Sequence, residues 1–215
     1  MPADVNKTRR YRAAARAEHA AATRRSVLAA ARELFVADGY RATRVGQIAE
    51  RAGVAVDTIY ASVGRKPALL RELVETAISG QDEAVPALQR DYVQRIAAAA
   101  GARAKIALYA QSIVEIQQRL APVFLALRDA ALTEPECAEL WNSISERRAA
   151  NMRLFAADLR RTGELREDLS DDEVADVVWS MNASEYWVLL VVHRGWAPAR
   201  FGGWLSDAWT RLLLR

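Results

Sequence analysis

Between Gln47 and Tyr60 the chain reads QIAERAGVAVDTIY, two runs of helical spacing divided by a glycine, each too short to stand alone. Val45, Ile48, Ala49 and Ala52 follow the i, i+3, i+4, i+7 pattern, with Thr43 placed to cap the helix and Gly53 placed to end it. Beyond Gly53, Val54, Ile59 and Val63 can face the same core, which leaves Val56, Asp57, Thr58, Tyr60, Ala61 and Ser62 pointing elsewhere. Two such helices bury little alone and must pack across a third. The preceding segment supplies it: from Thr23 on, Val27, Ala31, Leu34 and Phe35 share one helical face, and Gly39 closes that helix. This is the helix-turn-helix arrangement, which projects its second helix outward, narrow enough for the major groove of B-DNA. A plain three-helix bundle has the same spacing.

The remaining segments also read as helices, and no β-branched run is flanked by hairpin turns, so the fold class expected is all-α. Lys66-Pro67 opens a helix with proline in its first turn. Helices are then expected over 82–98 and 102–120, with a shorter one from Pro122 through Leu132. Thr133 and Glu136 resemble a capping box before a helix to Arg161, and Ser170 with Glu173 forms a cleaner one before a helix to about His193. A last helix covers 198–214. With no linker-like tract, the expected organisation is a flexible basic arm over 1–22, a helix-turn-helix domain over 23–66 and a helical domain over 67–215, joined rigidly through the Pro67 helix.

The segment Thr23 to Leu73 contains AARELFVADGY, QIAERAGVAVDTIY and KPALL in that order, and it resembles the TetR family of transcriptional regulators. The resemblance implies an N-terminal DNA-binding domain, a variable C-terminal helical domain with a ligand pocket, and homodimers that repress transcription until a ligand releases them. Two positions depart from the family pattern. Ala55 stands where the family usually caps its recognition helix with serine, forgoing about 1 kcal/mol, part of which Asp57 can recover through the helix dipole. Val63 stands where an aromatic is usual.

Charge divides along the same boundary. Residues 1–66 carry 13 Lys/Arg against 6 Asp/Glu, whereas 67–215 carry 17 against 21, so the front module alone suits an anionic partner. The outward face of the recognition helix has no Arg or Lys, which removes the bidentate guanine contact there. Val56 can meet a thymine methyl, Asp57 can accept from a cytosine amine, and Thr58 suits either base type. Thr43, Arg44 and Lys66 are expected at phosphates, as is Tyr60 on the family resemblance. Arg9, Arg10 and Arg12, set among alanines, make residues 1–22 a candidate arm for the minor groove.

All six tryptophans lie beyond residue 140. One stripe of the helix from Asp171 carries Val174, Val178, Met181, Val188 and Val192, and another carries Trp179, Asn182, Tyr186, Leu189 and His193, so both sides need a cover. The family resemblance implies those covers: a partner subunit and an internal ligand cavity. Expected at the dimer interface are Val174, Val178, Met181 and Val188, with Phe201, Trp204, Leu205, Ala208 and Leu212 from the last helix. Candidate pocket residues are Tyr109, Phe124, Trp141, Met152, Phe155, Trp179, Asn182 and Tyr186, a set suited to a small apolar or aromatic effector.

Other chemistries find few residues. There are two histidines and one cysteine, Cys137, with no metal-ligand spacing and no phosphate-cradling glycine loop, so neither metal nor cofactor is expected and the chain is not read as an enzyme. No apolar run reaches the length of a membrane span, and a cytoplasmic location without membrane contact is expected. The resulting reading is a ligand-responsive DNA-binding regulator acting on an operator. Its alternative is an all-helical small-molecule-binding protein or enzyme without DNA binding.

Overall fold

The structure is a computed structural model that describes residues 3–215, with side chains from residue 13 onward. The chain forms two compact units, Met1–Leu73 and Val74–Arg215. No strand occurs among the described residues; Leu165 and Leu214 pair as an isolated antiparallel bridge.

The first unit contains α1 (Ala3–Ala37), α2 (Val45–Ala52), α3 (Val56–Ser62) and the start of α4 (Lys66–Ser79). Helix α1 begins well before Thr23, so residues 3–22 continue it. Val27, Ala31, Leu34 and Phe35 fill the interior with Ile48, Ala49, Ile59, Leu69 and Leu70. The Tyr40 ring packs 5.3 Å from that of Phe35. Gly53 stops α2 in the left-handed region at φ 69°; its N–H bonds the Glu50 carbonyl at 3.2 Å, and that of Val54 bonds Ala49 at 3.0 Å. That pattern is a Schellman stop, which any side chain at residue 53 would strain. Arg24 donates to Glu72 at 2.5 Å and to the Ser62 carbonyl at 3.2 Å, fastening α1 to α4 and to the end of α3.

Thr43 does not cap α2. The cap position is Arg44, whose N–H is taken by Gln47 Oε1 at 2.7 Å. Thr43 is buried, its hydroxyl donating to the Gly39 carbonyl at 2.8 Å with that of Leu34 at 3.2 Å, so it closes the α1–α2 corner.

The second unit is built on α6 (Ala102–Ala131), which packs against α5 (Asp91–Ala98), α7 (Pro135–Arg160) and α10 (Pro198–Leu213). Only Asp91–Ala98 of the expected 82–98 segment is α-helical; Pro86 precedes a 3₁₀ turn at Ala87–Gln89. Pro122 begins no new helix either. It sits inside α6, where it removes one N–H, yet Leu120, Ala121, Val123 and Phe124 are all buried and hold the two halves on one course. Helix α7 is entered from Glu134 with Pro135 in its first turn, in place of a Thr133 capping box. Gly202 permits the close approach of α10 to α6, since a β-carbon there would lie 2.8 Å from Val114 Cγ2.

Ser170 and Glu173 form the expected capping box at the start of α8 (Asp171–Met181), with Ser170 N–H to Glu173 Oε2 at 2.8 Å and Glu173 N–H to Ser170 Oγ at 3.2 Å. The helix does not run on to His193. It ends at Asn182, Ala183 is extended, and the chain restarts as α9 (Ser184–Trp187) and a π-helical turn, Val188–His193. The extended residue and the π turn reset the helical phase, so stripes extrapolated through Asn182 change sides. Val174, Val178, Phe201 and Leu205 lie in the subunit's own core and cannot be surface for a partner. Between α8 and α10 the exposed large apolar residues are Tyr186, Leu189 (55 %), Val192 (62 %) and Leu212, with Met181, Val188, Trp204 and Ala208 partly exposed.

Candidate nucleic-acid interface and ligand cavity

In the first unit α3 is anchored by a single residue. Ile59 is fully buried, whereas Val56 (36 %), Asp57 and Tyr60 (48 %) face outward and Thr58 is partly covered. A seven-residue helix with one inward side chain leaves most of its surface unspent. Ala55 supplies no side-chain cap, and Asp57 occupies the first turn, where its charge suits the helix dipole. Beside Tyr60 lies a shallow hollow lined by Val45, Gly64, Arg65, Lys66 and Pro67. The Lys66 ammonium rests 4.0 Å over the Tyr40 ring, which orients it at the rim.

Arg44 is exposed at the start of α2, while Thr43, expected at a phosphate, is withdrawn by its interior hydrogen bonds. Arg65 was not expected here. It is exposed and shares the hollow with Tyr60 and Lys66; its position directly before Lys66-Pro67, at the entry to a helix, was the available signal. The side chains of Arg9, Arg10 and Arg12 lie outside the described residues.

In the second unit a cavity of about 760 Å³ opens among α4 from Glu75 onward, the segment 84–97, α6 and α7. Its apolar walls come from Ile78, Ile96, Ile113, Ile116, Leu120, Ile144 and Phe155. Of the candidate pocket residues, Tyr109, Met152, Phe155 and Asn182 line it. Phe124 and Trp141 do not; they stack on each other with centroids 4.4 Å apart, Phe124 in the core and Trp141 half-buried over it. Trp179 stands behind the wall, with the Arg148 guanidinium 5.2 Å from its ring, and Tyr186 stacks on Trp204 at the surface. The phase reset at Ala183 moved Tyr186 outward.

Polar groups in the cavity are joined. Asn182 donates through Nδ2 to the Tyr109 hydroxyl at 2.9 Å and accepts at Oδ1 from Arg148. Arg148 also donates to the Trp179 carbonyl at 3.0 Å, and Gln117 donates to the Asn182 carbonyl at 2.8 Å while accepting from Ser184. Burial pushes the Tyr109 phenol above its usual range and lowers the Arg148 guanidinium from its own. Tyr109 is therefore a neutral donor. Around these groups Arg147 pairs with Glu75, and Asp158 serves both Lys105 (2.8 Å) and Arg161 (2.7 Å). The arginines of the cavity had no local signature, since a cation on a helix reads as surface.

Residues 27–73 match the family profile described as "Bacterial regulatory proteins, tetR family". The helix-turn-helix of the first unit is thus similar to that of TetR-family regulators. No curated protein matches the sequence. Solved structures show the TetR-like fold extending beyond the matched segment. The transcriptional regulator FadR from Bacillus subtilis, in complex with stearoyl-CoA, is 21% identical, covers 86% of this chain and 96% of its own, and has a TM-score of 0.70. A transcriptional regulator from Saccharomonospora viridis, in complex with choline, is 21% identical over 89% of this chain and 97% of its own, with a TM-score of 0.67. A TetR-family structure from Mesorhizobium loti is 17% identical over 91% and 98%, with a TM-score of 0.66.

The matched segment contains α2 and α3, the helix-turn-helix pair, and the segment after Leu73 falls outside the matched profile. Among the described residues no helix is long and apolar enough to cross a membrane.

Proposed function

We propose that this chain is a TetR-family regulator that binds an operator as a homodimer through α3, represses transcription there, and is released when a small effector with a largely apolar body fills the cavity of the second unit. The observation that carries the reading is α3 itself, held by Ile59 with Val56, Asp57 and Tyr60 outward. Those side chains would meet base edges or backbone in a major groove, with Tyr60, Arg65, Lys66 and Arg44 positioning the helix on phosphates. The arginines of residues 1–22 would add minor-groove contact.

A single α3 reads a half-site, so two must be held at a fixed separation, about 34–36 Å for successive major grooves. The exposed apolar set Tyr186, Leu189, Val192, Trp204 and Leu212 is the face for a second copy, replacing the buried valines expected there. Coupling would run along α4, which carries Lys66 in its first turn and the cavity residues Glu75 and Ile78 near its end. An effector that favours one position of α4 shifts the population away from the DNA-competent dimer. Gel-shift titration with the DNA upstream of the protein's own gene tests this reading. A discrete complex that poly(dI-dC) cannot compete away is expected; no complex leaves a helical small-molecule-binding protein without DNA binding.

A further inference from the structure

The cavity contains a half-buried cation without a paired acid. Among the described residues no carboxylate forms an ion pair with Arg148, whose hydrogen-bond partners are the Trp179 carbonyl and Asn182 Oδ1. Glu185 acts on it only from farther away. Desolvating a guanidinium costs several kcal/mol unless charge or hydrogen bonds offset it, and two neutral acceptors offset it in part. Tyr109 adds a second unspent donor. Its hydroxyl accepts from Asn182 but donates only to the thioether of Met152 at 3.4 Å, a weak acceptor. One carboxamide, that of Asn182, touches both groups, so an oxyanion beside it would be within reach of each. The other cations of the lining are partnered or near solvent: Arg147 by Glu75, Arg161 by Asp158, and Arg90 by the Val85 carbonyl at 2.9 Å.

Resting on the reading of this cavity as the effector site, we infer that the effector is an anion, a carboxylate joined to an apolar body, with its oxygens on Arg148 and Tyr109. Aliphatic walls take the body, and the carboxylate supplies the charge that Arg148 lacks. A cationic effector is disfavoured, because Arg148 would repel it and the carboxylates of the lining, Glu75 and Asp158, are already engaged.

The test is calorimetric titration of the full chain with matched pairs of probes: dodecanoate against dodecanol, and 2-naphthoate against 2-naphthalenemethanol. Quenching of tryptophan fluorescence is followed in parallel, since Trp179 flanks Arg148 and Trp209 stacks on Tyr109 at 5.5 Å. At least one carboxylate is expected to bind about tenfold or more tighter than its alcohol, as a charge-assisted hydrogen bond warrants. Arg148→Gln should abolish that preference while leaving alcohol binding within about threefold. Tyr109→Phe, a smaller change that keeps the ring, should reduce carboxylate binding about fivefold and serves if the arginine variant does not fold. Alcohols binding as tightly as acids, an undiminished preference in both variants, or no binding by any probe overturns the anion assignment. The effector-site reading is scored separately, by whether any bound probe releases DNA: an alcohol that does so sinks the anion while sparing the site.

Discussion

Asn182 donates its side-chain amide to the Tyr109 hydroxyl at 2.9 Å, although the two residues lie 73 positions apart in the chain. That bond, with the acceptance of Arg148 at Oδ1, places a three-residue polar network against the apolar wall of the cavity. The same asparagine is the C-cap of α8, so the end of the helix and the polar network share one residue.

Asn182→Ala leaves the Arg148 guanidinium with one fewer acceptor in a desolvated site. A loss of about 2 kcal/mol is expected, as for other buried groups left without a partner. Urea unfolding checks it, and an unchanged midpoint would mean that water replaces the amide without cost. Asn182→Asp should be tolerated better, because a carboxylate there pairs with Arg148.

Tyr109 gives a pH signature. Its folded-state pKa is raised by burial, so its contribution to stability is whole below the ordinary phenol range and declines as pH rises above that range, where the unfolded chain ionises and the folded one does not. Denaturant midpoints measured from pH 8 upward should fall less steeply for Tyr109→Phe than for the parent chain. Equal slopes would remove the assignment.

At the recognition helix, Ala55 has extended dihedrals, φ −74° and ψ 152°, that suit a capping side chain. Ala55→Ser should therefore stabilise α3 by about 1 kcal/mol and raise the thermal midpoint by about 2–4 °C. Calorimetry measures it directly.

Leu189 and Val192 are exposed on the face assigned to a second copy. The double change Leu189→Arg, Val192→Asp should shift the chain to monomer in sedimentation equilibrium without lowering its helicity, and should weaken operator binding because two α3 helices are no longer held in register. A dimer that persists relocates the interface.

How much of this was legible depended on whether a signal was local. Gly53, Ile59 and the outward residues of α3 were readable because a short helix has few neighbours to overrule its own spacing. Pro122 misled because its local cost is real, yet buried neighbours on both sides outweighed it. The reach of the Ser170 helix misled for the opposite reason: nothing near Asn182 in the chain announces that Gln117, Tyr109 and Arg148 will converge on it. Pocket candidates chosen for aromatic character failed where rings paired with each other, as Phe124 did with Trp141.

Electrostatic positioning by the front module has its own test. Removing residues 1–22 should weaken binding to DNA and flatten the dependence of log K on log salt, by about 0.9 for each phosphate that the arm neutralises. An unaltered slope eliminates the arm. Lys66→Gln should lower the slope by about 0.9, the share of a single phosphate, while leaving sequence preference in place.

The most direct test compares the parent chain with Val56→Ala and Asp57→Ala by fluorescence anisotropy, on the upstream fragment and on scrambled DNA. If α3 reads bases, each substitution costs about 1–3 kcal/mol on the fragment, or narrows its preference over scrambled sequence, while non-specific binding barely moves. Indifference of both variants on both DNAs would contradict the account.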